Sequence, residues 1–187
     1  MAYPTLMPWP ERIHTKRLEL RSYLLGEGAD LFAAIQSSAE HLRKWVTWVD
    51  NFKTLDAQED YVRKMQAAFI ARTDLVWQIR LKSSNELLGA LGLHEIDWAM
   101  PSYSMGWWIA ADHTGKGYTK EAASALADVA MTVGKAQRLW ASCDADNAAS
   151  EAVMRHVGMQ REGLLRKHGR KPDGSLRDTL IYARVAD

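Results

Sequence analysis

Met105-Gly106-Trp107-Trp108-Ile109-Ala110 leads, four residues on, into Thr114-Gly115-Lys116-Gly117-Tyr118-Thr119-Lys120-Glu121-Ala122-Ala123, so an apolar run meets a glycine loop and then an alanine-rich segment. The first part has the length and composition of a buried strand. The alanines between Thr119 and Val133, closed by Gly134, have those of a helix. A loop between the end of a strand and the start of a helix is an anion site, because N–H groups without an intrahelical acceptor point out along the positive end of the helix dipole. A phosphate is the ligand expected there. Glycines let the backbone approach a pyrophosphate closely, and Lys116 adds charge at the rim. Neither G-x-x-x-x-G-K-S/T nor G-x-G-x-x-G is present, which weakens a nucleoside triphosphate or dinucleotide reading. Taken alone, two glycines also suit an ordinary turn.

N-terminal to this stretch, Leu18, Leu20 and Tyr23 alternate with Arg17, Glu19 and Arg21 as in a strand with one buried face. After Gly26 and Gly28, Asp30 is placed to cap a helix reaching about Ser38, and a second helix is expected from His41 to Val49. Asp56 to Arg72 reads as an amphipathic helix with Tyr61, Met65, Ala68 and Phe69 on one face. Leu75 to Lys82, Leu87 to Trp98 and Ser102 to Ala110, separated by Ser83-Ser84-Asn85-Glu86 and by Pro101, read as an antiparallel meander. C-terminal to the glycine loop come a helix, an apolar strand from Arg138 to Asp144, and a helix from Asn147 to Val157 closed by Gly158. Strands from Met159 to His168 and Leu176 to Val185 follow, around the turn Lys171-Pro172-Asp173-Gly174. The order predicts a single α/β (α+β) domain over residues 1–187, with residues 1–14 as an extended arm. Its mixed, mostly antiparallel sheet has about seven strands and helices on both faces.

The 24 basic and 23 acidic residues of the 187 nearly cancel, so no strong field favours nucleic acid or an anionic membrane. A lone cysteine, Cys143, leaves no internal disulfide and no C-x-x-C pair, which points to a reducing compartment, the cytoplasm by default, and to no metal. Residues 1–11 lack the basic start and apolar run of a signal peptide, and no run of about 18 apolar residues is present to span a bilayer. Among eight tryptophans, Trp45 and Trp48 share a helix-like spacing. Core packing is the favoured reading, and a wall of a substrate groove the alternative. Cys143, among Trp140, Ala141 and Ala145, reads as core rather than as an acyl carrier. The basic run Arg166, Lys167, Arg170 and Lys171 reads as a solvated hairpin, with contact to a phosphate or an acidic peptide as the minor alternative.

The quoted stretch resembles the acetyl-CoA motif of the GNAT acetyltransferase superfamily, and the chain looks like its RimJ/RimL branch. Thr15 to Arg21, Asn147-Ala148-Ala149-Ser150 through Gly158-Met159, and Glu162-Gly163 with Asp178 and Tyr182 are similar to that branch in the same order. The resemblance implies a GNAT fold with splayed fourth and fifth strands, here Ser102 to Ala110 and Arg138 to Asp144, and the pantetheine arm of acetyl-CoA between them. It implies transfer of acetyl to an amine, on a protein N-terminus or a small molecule, by direct attack and without a covalent enzyme intermediate. Monomer and homodimer are both compatible with it.

On this resemblance Trp108, Ile109 and Ala110 bind the cofactor and their N–H groups hold the developing oxyanion. Thr114, Gly115, Lys116, Gly117, Tyr118 and Thr119 bind the pyrophosphate, Asn147 bonds the pantetheine or the loop, and the Ser150 hydroxyl faces the sulfur of CoA. The chain departs from the family pattern at Thr114, where a glutamine or arginine is usual, at Met154, where an acid tyrosine is frequent, and at Met159, where phenylalanine is frequent. Met154 has no proton to give, which moves the acid role to Ser150. Plain helix capping would equally account for Asn147 and Ser150. No carboxylate occurs in Ser102-Tyr103-Ser104-Met105, so the base is sought elsewhere. His94, Glu95 and Asp97 are titratable, with strand alternation placing Glu95 and Asp97 on one face and His94 on the other. Glu95 and His168 are the candidates carried forward, the second because imidazole titrates near neutrality. The competing reading is a CoA-binding sensor without turnover, kept open by Thr114, Met154 and the missing carboxylate.

Overall fold

The computed structural model describes residues 3–171 and 173–186, so of the turn expected at Lys171 to Gly174, Pro172 lies outside the described residues. Eight strands form one sheet in the order β1-β2-β3-β4-β5-β6-β8-β7, with β1 at Arg12–His14, β2 at Leu18–Ser22, β3 at Leu75–Leu81, β4 at Leu87–Asp97, β5 at Ser102–Ile109, β6 at Arg138–Asp144, β7 at Gln160–Arg170 and β8 at Leu176–Val185. The helices are α1 at Gly28–Ser37, α2 at Ala39–Leu42, α3 at Leu55–Ala71, α4 at Tyr118–Thr132 and α5 at Ala148–His156. All neighbouring strands are antiparallel except β5 and β6.

The strand beyond the seven expected is β1. Three residues are too few to display a periodicity, and pairing of Arg12, Ile13 and His14 with Arg21, Leu20 and Glu19 defines it instead. The segment expected as an extended arm thus ends in an edge strand, and Met7 and Trp9 before it are buried. Trp9 packs edge-on against Tyr103 with ring centroids 5.7 Å apart.

Alternation sorts the central strands onto two faces. Leu75, Trp77 and Ile79 of β3 join Ala122, Ala123, Leu126, Ala127 and Ala130 of α4 and Val153 and Met154 of α5 in one core cluster. Val76 of β3 and Ala90 of β4 join Leu31 and Ile35 of α1, Leu42 of α2 and Val62 of α3 in the other. The alanines of α4 let that helix lie close to the sheet, which fixes where its N-terminus emerges.

Two local expectations change. Asp30 does not cap α1: the N-cap is Glu27, without a side-chain cap, and Asp30 accepts a hydrogen bond from Arg80 at 2.9 Å. Arg80 is buried on the sheet and bonds Gln78 and the Asn85 carbonyl as well, so a buried guanidinium recruits the nearby carboxylates of Asp30 and Glu27. The helix expected from His41 to Val49 is the single turn α2 followed by an irregular segment and a 3-10 turn at Trp48–Asn51. Within it the Trp48 ring lies edge-on to those of Phe52 and Trp108, with centroids 6.0 and 6.1 Å away.

The fourth and fifth expected strands are β5 and β6, and they do splay. Parallel pairing joins only Ser102, Tyr103 and Ser104 to Arg138, Leu139 and Trp140. From Met105 onward β5 stays on β4 while β6 stays on β8, which opens a gap between them.

Candidate functional site

The gap widens into a cavity of about 710 Å³ bounded by β5, β6, the glycine loop, the start of α5 and the segment between α2 and α3. Its wall includes Trp107, Trp108 and Ile109 of β5, and Ser142, Cys143 and Asp144 of β6. Which β5 amides face it follows from the ladder. The Ala110 N–H donates to the Leu88 carbonyl at 2.7 Å, so Ala110 cannot hold an oxyanion and that expectation is corrected. Residues of that parity, Trp108 included, face β4, where Trp108 pairs with Ala90. The opposite parity, Trp107 and Ile109, turns its N–H groups to the gap, as Tyr103 does where β5 still pairs with β6. Trp108 contributes its indole instead, 6.1 Å from the Trp48 ring. Trp107 is thus a site residue that sequence reasoning missed; strand parity was legible, but not which parity faced the gap.

At the other end of β5 the chain makes a 3-10 turn, Ala111–His113, and enters the glycine loop. Gly115 and Gly117 have φ of 72° and 77°, a left-handed backbone that glycine adopts without strain. Gly117 is the N-cap of α4, and its carbonyl receives the first intrahelical bond, from Glu121 at 3.1 Å. The N–H groups of Tyr118, Thr119 and Lys120 precede that bond and Gly117 has no side chain to cap them. They form an N-terminal anion site with the helix dipole behind it. A Cβ on Gly115 would touch nothing within 4 Å, so the cradle is open. Thr114, Gly115, Gly117, Tyr118 and Thr119 all border the cavity, as does Lys120, whereas Lys116 does not. The Lys116 carbonyl instead accepts from the Arg17 guanidinium at 3.0 Å.

Arg17 also bonds Glu121, through Nε to Oε2 at 2.6 Å and through its backbone N–H to Oε1 at 2.8 Å, and its guanidinium lies 4.4 Å from the centre of the Tyr118 ring. Thr15 donates its hydroxyl to the same carboxylate at 2.6 Å. Burial pushes the Glu121 carboxyl up, but the hydrogen bonds from Thr15 and Arg17 and the Arg17 charge outweigh it and hold the group below its usual range. The segment Thr15 to Arg21 thereby locks the phosphate loop from more than a hundred residues away, a clamp that no local pattern announces.

Across the cavity, Asn147 caps α5: its Oδ1 accepts from the Ser150 N–H at 3.0 Å. Ser150 therefore uses its backbone for the cap and keeps its hydroxyl for the cavity that it borders. Cys143 borders the cavity too, rather than lying wholly in the core. Burial, then the charges of Glu151 and Asp144, push its thiol up to about 11, which leaves it protonated and poorly nucleophilic near neutral pH.

The remaining expected residues scatter. Glu95 sits at φ 47° in a bulge of β4 between His94 and Asp97, is exposed and does not border the cavity; the bulge also voids the simple alternation assumed for these positions. His168 is exposed on β7, its Nδ1 3.3 Å from the Thr179 hydroxyl, and it too lies outside the cavity. Trp45 and Trp48 both border the cavity, and Trp48 also packs against the core cluster on the α1 and α3 face, so for Trp48 the two readings hold together. Arg170, from the basic run, and Arg177 on β8 line it as well, as do His41 and His113. Among the described residues no cluster of side chains could hold a metal ion, and no helix is long and apolar enough to cross a membrane.

An anion cradle at a helix start, continuous with a slot lined by free strand amides, fits a ligand with a phosphate end and an extended amide-bearing arm. CoA has both. Comparison with known proteins agrees: residues 17–160 match the acetyltransferase (GNAT) domain, and the chain belongs to that family. Over 173 residues it is 27% identical to the uncharacterized N-acetyltransferase p20 of Bacillus licheniformis, covering 92% of this chain and 95% of that one. In fold it is similar to RimL, the ribosomal L7/L12 alpha-N-protein acetyltransferase in complex with coenzyme A, with a TM-score of 0.88, 22% identity, and coverage of 95% and 99% of the two chains. It is also similar to Mycobacterium smegmatis RimJ in complex with a CoA disulfide, with a TM-score of 0.85, 25% identity, and coverage of 95% and 88%. The microcin C7 self-immunity acetyltransferase MccE, in complex with acetyl-CoA and AMP, has a TM-score of 0.85 at 22% identity, covering 91% and 93%.

Proposed function

We propose that this GNAT N-acetyltransferase transfers acetyl from acetyl-CoA to a primary amine that enters the cavity between β5 and β6, the α-amine of a protein N-terminus or the amine of a small molecule. The observation that carries the reading is the joining of three parts in one cavity: the open N-terminus of α4, the gap-facing amides of β5, and the Ser150 hydroxyl.

Acetyl-CoA supplies an activated thioester. The chain's residues do the rest. Gly115, Gly117 and the first amides of α4 hold phosphate, with Lys120 beside them. The N–H groups of Trp107 and Ile109 are directed at the slot where a carbonyl oxygen gains charge, in a site walled by indoles that exclude water. Ser150 hands a proton to the departing sulfur, and Asn147 holds the first turn of α5 in place for it. Cys143 takes no acetyl group, since its thiol stays protonated. Confinement of both substrates in one cavity makes the attack effectively intramolecular.

The test is release of free thiol from acetyl-CoA across a panel of N-terminal peptides and small amines, with Ser150→Ala measured beside the parent. Turnover with at least one acceptor is expected, and Ser150→Ala should lower kcat about tenfold or more with acetyl-CoA affinity little changed. Binding of acetyl-CoA without release from any acceptor would instead mark a CoA sensor. An unaltered kcat in the variant would remove Ser150 from the acid role.

A further inference from the structure

None of Glu95, His168 and His94 borders the cavity, yet an amine that is an ammonium ion near neutral pH has to lose a proton before it can attack, so its proton acceptor acts from behind the wall. We infer that His94 is the general base, held in its working orientation by Asp74. The inference rests on the proposed acetyl transfer and assigns that reaction its proton acceptor.

The His94 Nδ1 lies 2.6 Å from the Asp74 Oδ1. A carboxylate at that distance makes Nδ1 the donor and leaves Nε2 as the ring's free acceptor. Three successive cross-strand pairs locate it: His94 with Ser104, Gly92 with Gly106, and Ala90 with Trp108. The imidazole does not stand over its own pair. It reaches toward the next one, since a Cβ on Gly92 would come within 3.0 Å of Nε2 and a Cβ on Gly106 within 3.4 Å. The two glycines leave the space in which the ring lies, and they lie on the Trp108 side of it. Gly106 itself borders the cavity between Met105 and Trp107. His94 does not itself border the cavity: Nε2 lies beside Gly106, which does, on the sheet face that carries the Trp108 indole, and it takes the proton of the amine through a water.

The side chains of His94 and Asp74 are 40% and 36% exposed, which lets a proton taken there pass on to solvent. Tyr61, pushed up to about 12 by burial and by the Asp74 charge, stays protonated and does not compete as a base. The carboxylate on the cavity wall, Asp144, is buried at the far strand and accepts the Asp146 N–H. Nε2 takes one proton from the ammonium and passes it to solvent, and the neutral nitrogen forms its bond to the acetyl carbon. As the carbon–sulfur bond breaks, Ser150 protonates the sulfur and regains a proton from the nitrogen, so one proton is released per turnover.

The experiment compares the parent chain, His94→Ala and Asp74→Asn with the best amine of the panel. His94→Ala should lower kcat about a hundredfold or more, leave acetyl-CoA affinity within about twofold, and regain part of the rate with added imidazole. Asp74→Asn, which keeps the ring, should lower kcat about tenfold with the KM for acetyl-CoA unchanged, and it serves should His94→Ala fail to fold. A kcat within about threefold of the parent in His94→Ala, or in Asp74→Asn if that alone folds, overturns the dyad while the acetyl transfer stands. A parent chain that releases no thiol with any amine overturns both.

Discussion

Gly117→Asp isolates the phosphate cradle from everything else the glycine loop does. A Cβ at Gly117 would meet only the Arg17 Nη2, at 3.6 Å, so the substitution introduces no clash. The backbone, at φ 77°, costs an ordinary side chain about 1–2 kcal/mol, less for Asp and Asn, which visit this region by hydrogen-bonding locally. An N-cap carboxylate at the positive end of α4 returns about 0.3–1 kcal/mol, so the folded state should lose roughly 1 kcal/mol at most. Binding behaves differently. A carboxylate about 5 Å from a bound phosphate, at an intermediate effective dielectric of about 40, repels it by about 1.7 kcal/mol, which is roughly a 15-fold to 20-fold loss of affinity. The Arg17 Nη2, 3.6 Å from that Cβ, can pair with the new carboxylate, which makes this loss an upper bound. Gly117→Asn has the same backbone and shape without the charge, so the ratio of the two variants reads the Coulomb effect alone. Calorimetric titration with CoA should give that ratio at low salt, and 1 M salt should shrink it as the screening length falls to about 3 Å. Equal affinities of the two variants at low salt would refute a phosphate at this helix start.

The Arg17 clamp predicts an acid-sensitive stability. Because the folded Glu121 carboxyl is held below its ordinary value of about 4.3, its contribution is complete above that value and fades as pH falls through the depressed folded one. The gap in melting temperature between the parent and Glu121→Gln should be constant from pH 7 to about 5 and close below about 4; a gap independent of pH would exclude an ionic clamp. For Cys143, whose thiol lies at about 11, alkylation by iodoacetamide should be slow at pH 7.5 and accelerate as pH approaches 10. Intact mass after incubation with acetyl-CoA should show no acetyl adduct, and a stable adduct at Cys143 would reinstate the acyl-carrier role. Leu126, fully buried in α4, should lose about 2–5 kcal/mol on truncation to alanine, read from chemical denaturation. A smaller loss would mean that α4 is seated less tightly on the sheet than its alanines imply.

Much of this molecule is legible in order along the chain. The meander β3 to β5, the loop and α4, and the span of β6 follow from periodicity and from glycine and proline punctuation, because these are local consequences of backbone geometry. The anion site at Gly115 to Thr119 is local for the same reason: a helix start carries its unsatisfied amides with it. What tertiary structure decided is everything that depends on which groups meet across the fold. Strand parity is written in the sequence, but the hydrogen bond from Ala110 to Leu88 decides that Trp107 and Ile109 face the gap. The edge strand β1 exists through its pairing with β2, and the segment at Trp45 and Trp48 borders the cavity instead of forming the expected helix. A bulge at Glu95 turns that carboxylate away, while His94, weighed in the sequence but not carried forward, gains Asp74 as a partner twenty residues distant and a seat over two glycines. Orientation and pairing are long-range choices, fixed only when the sheet closes around its core.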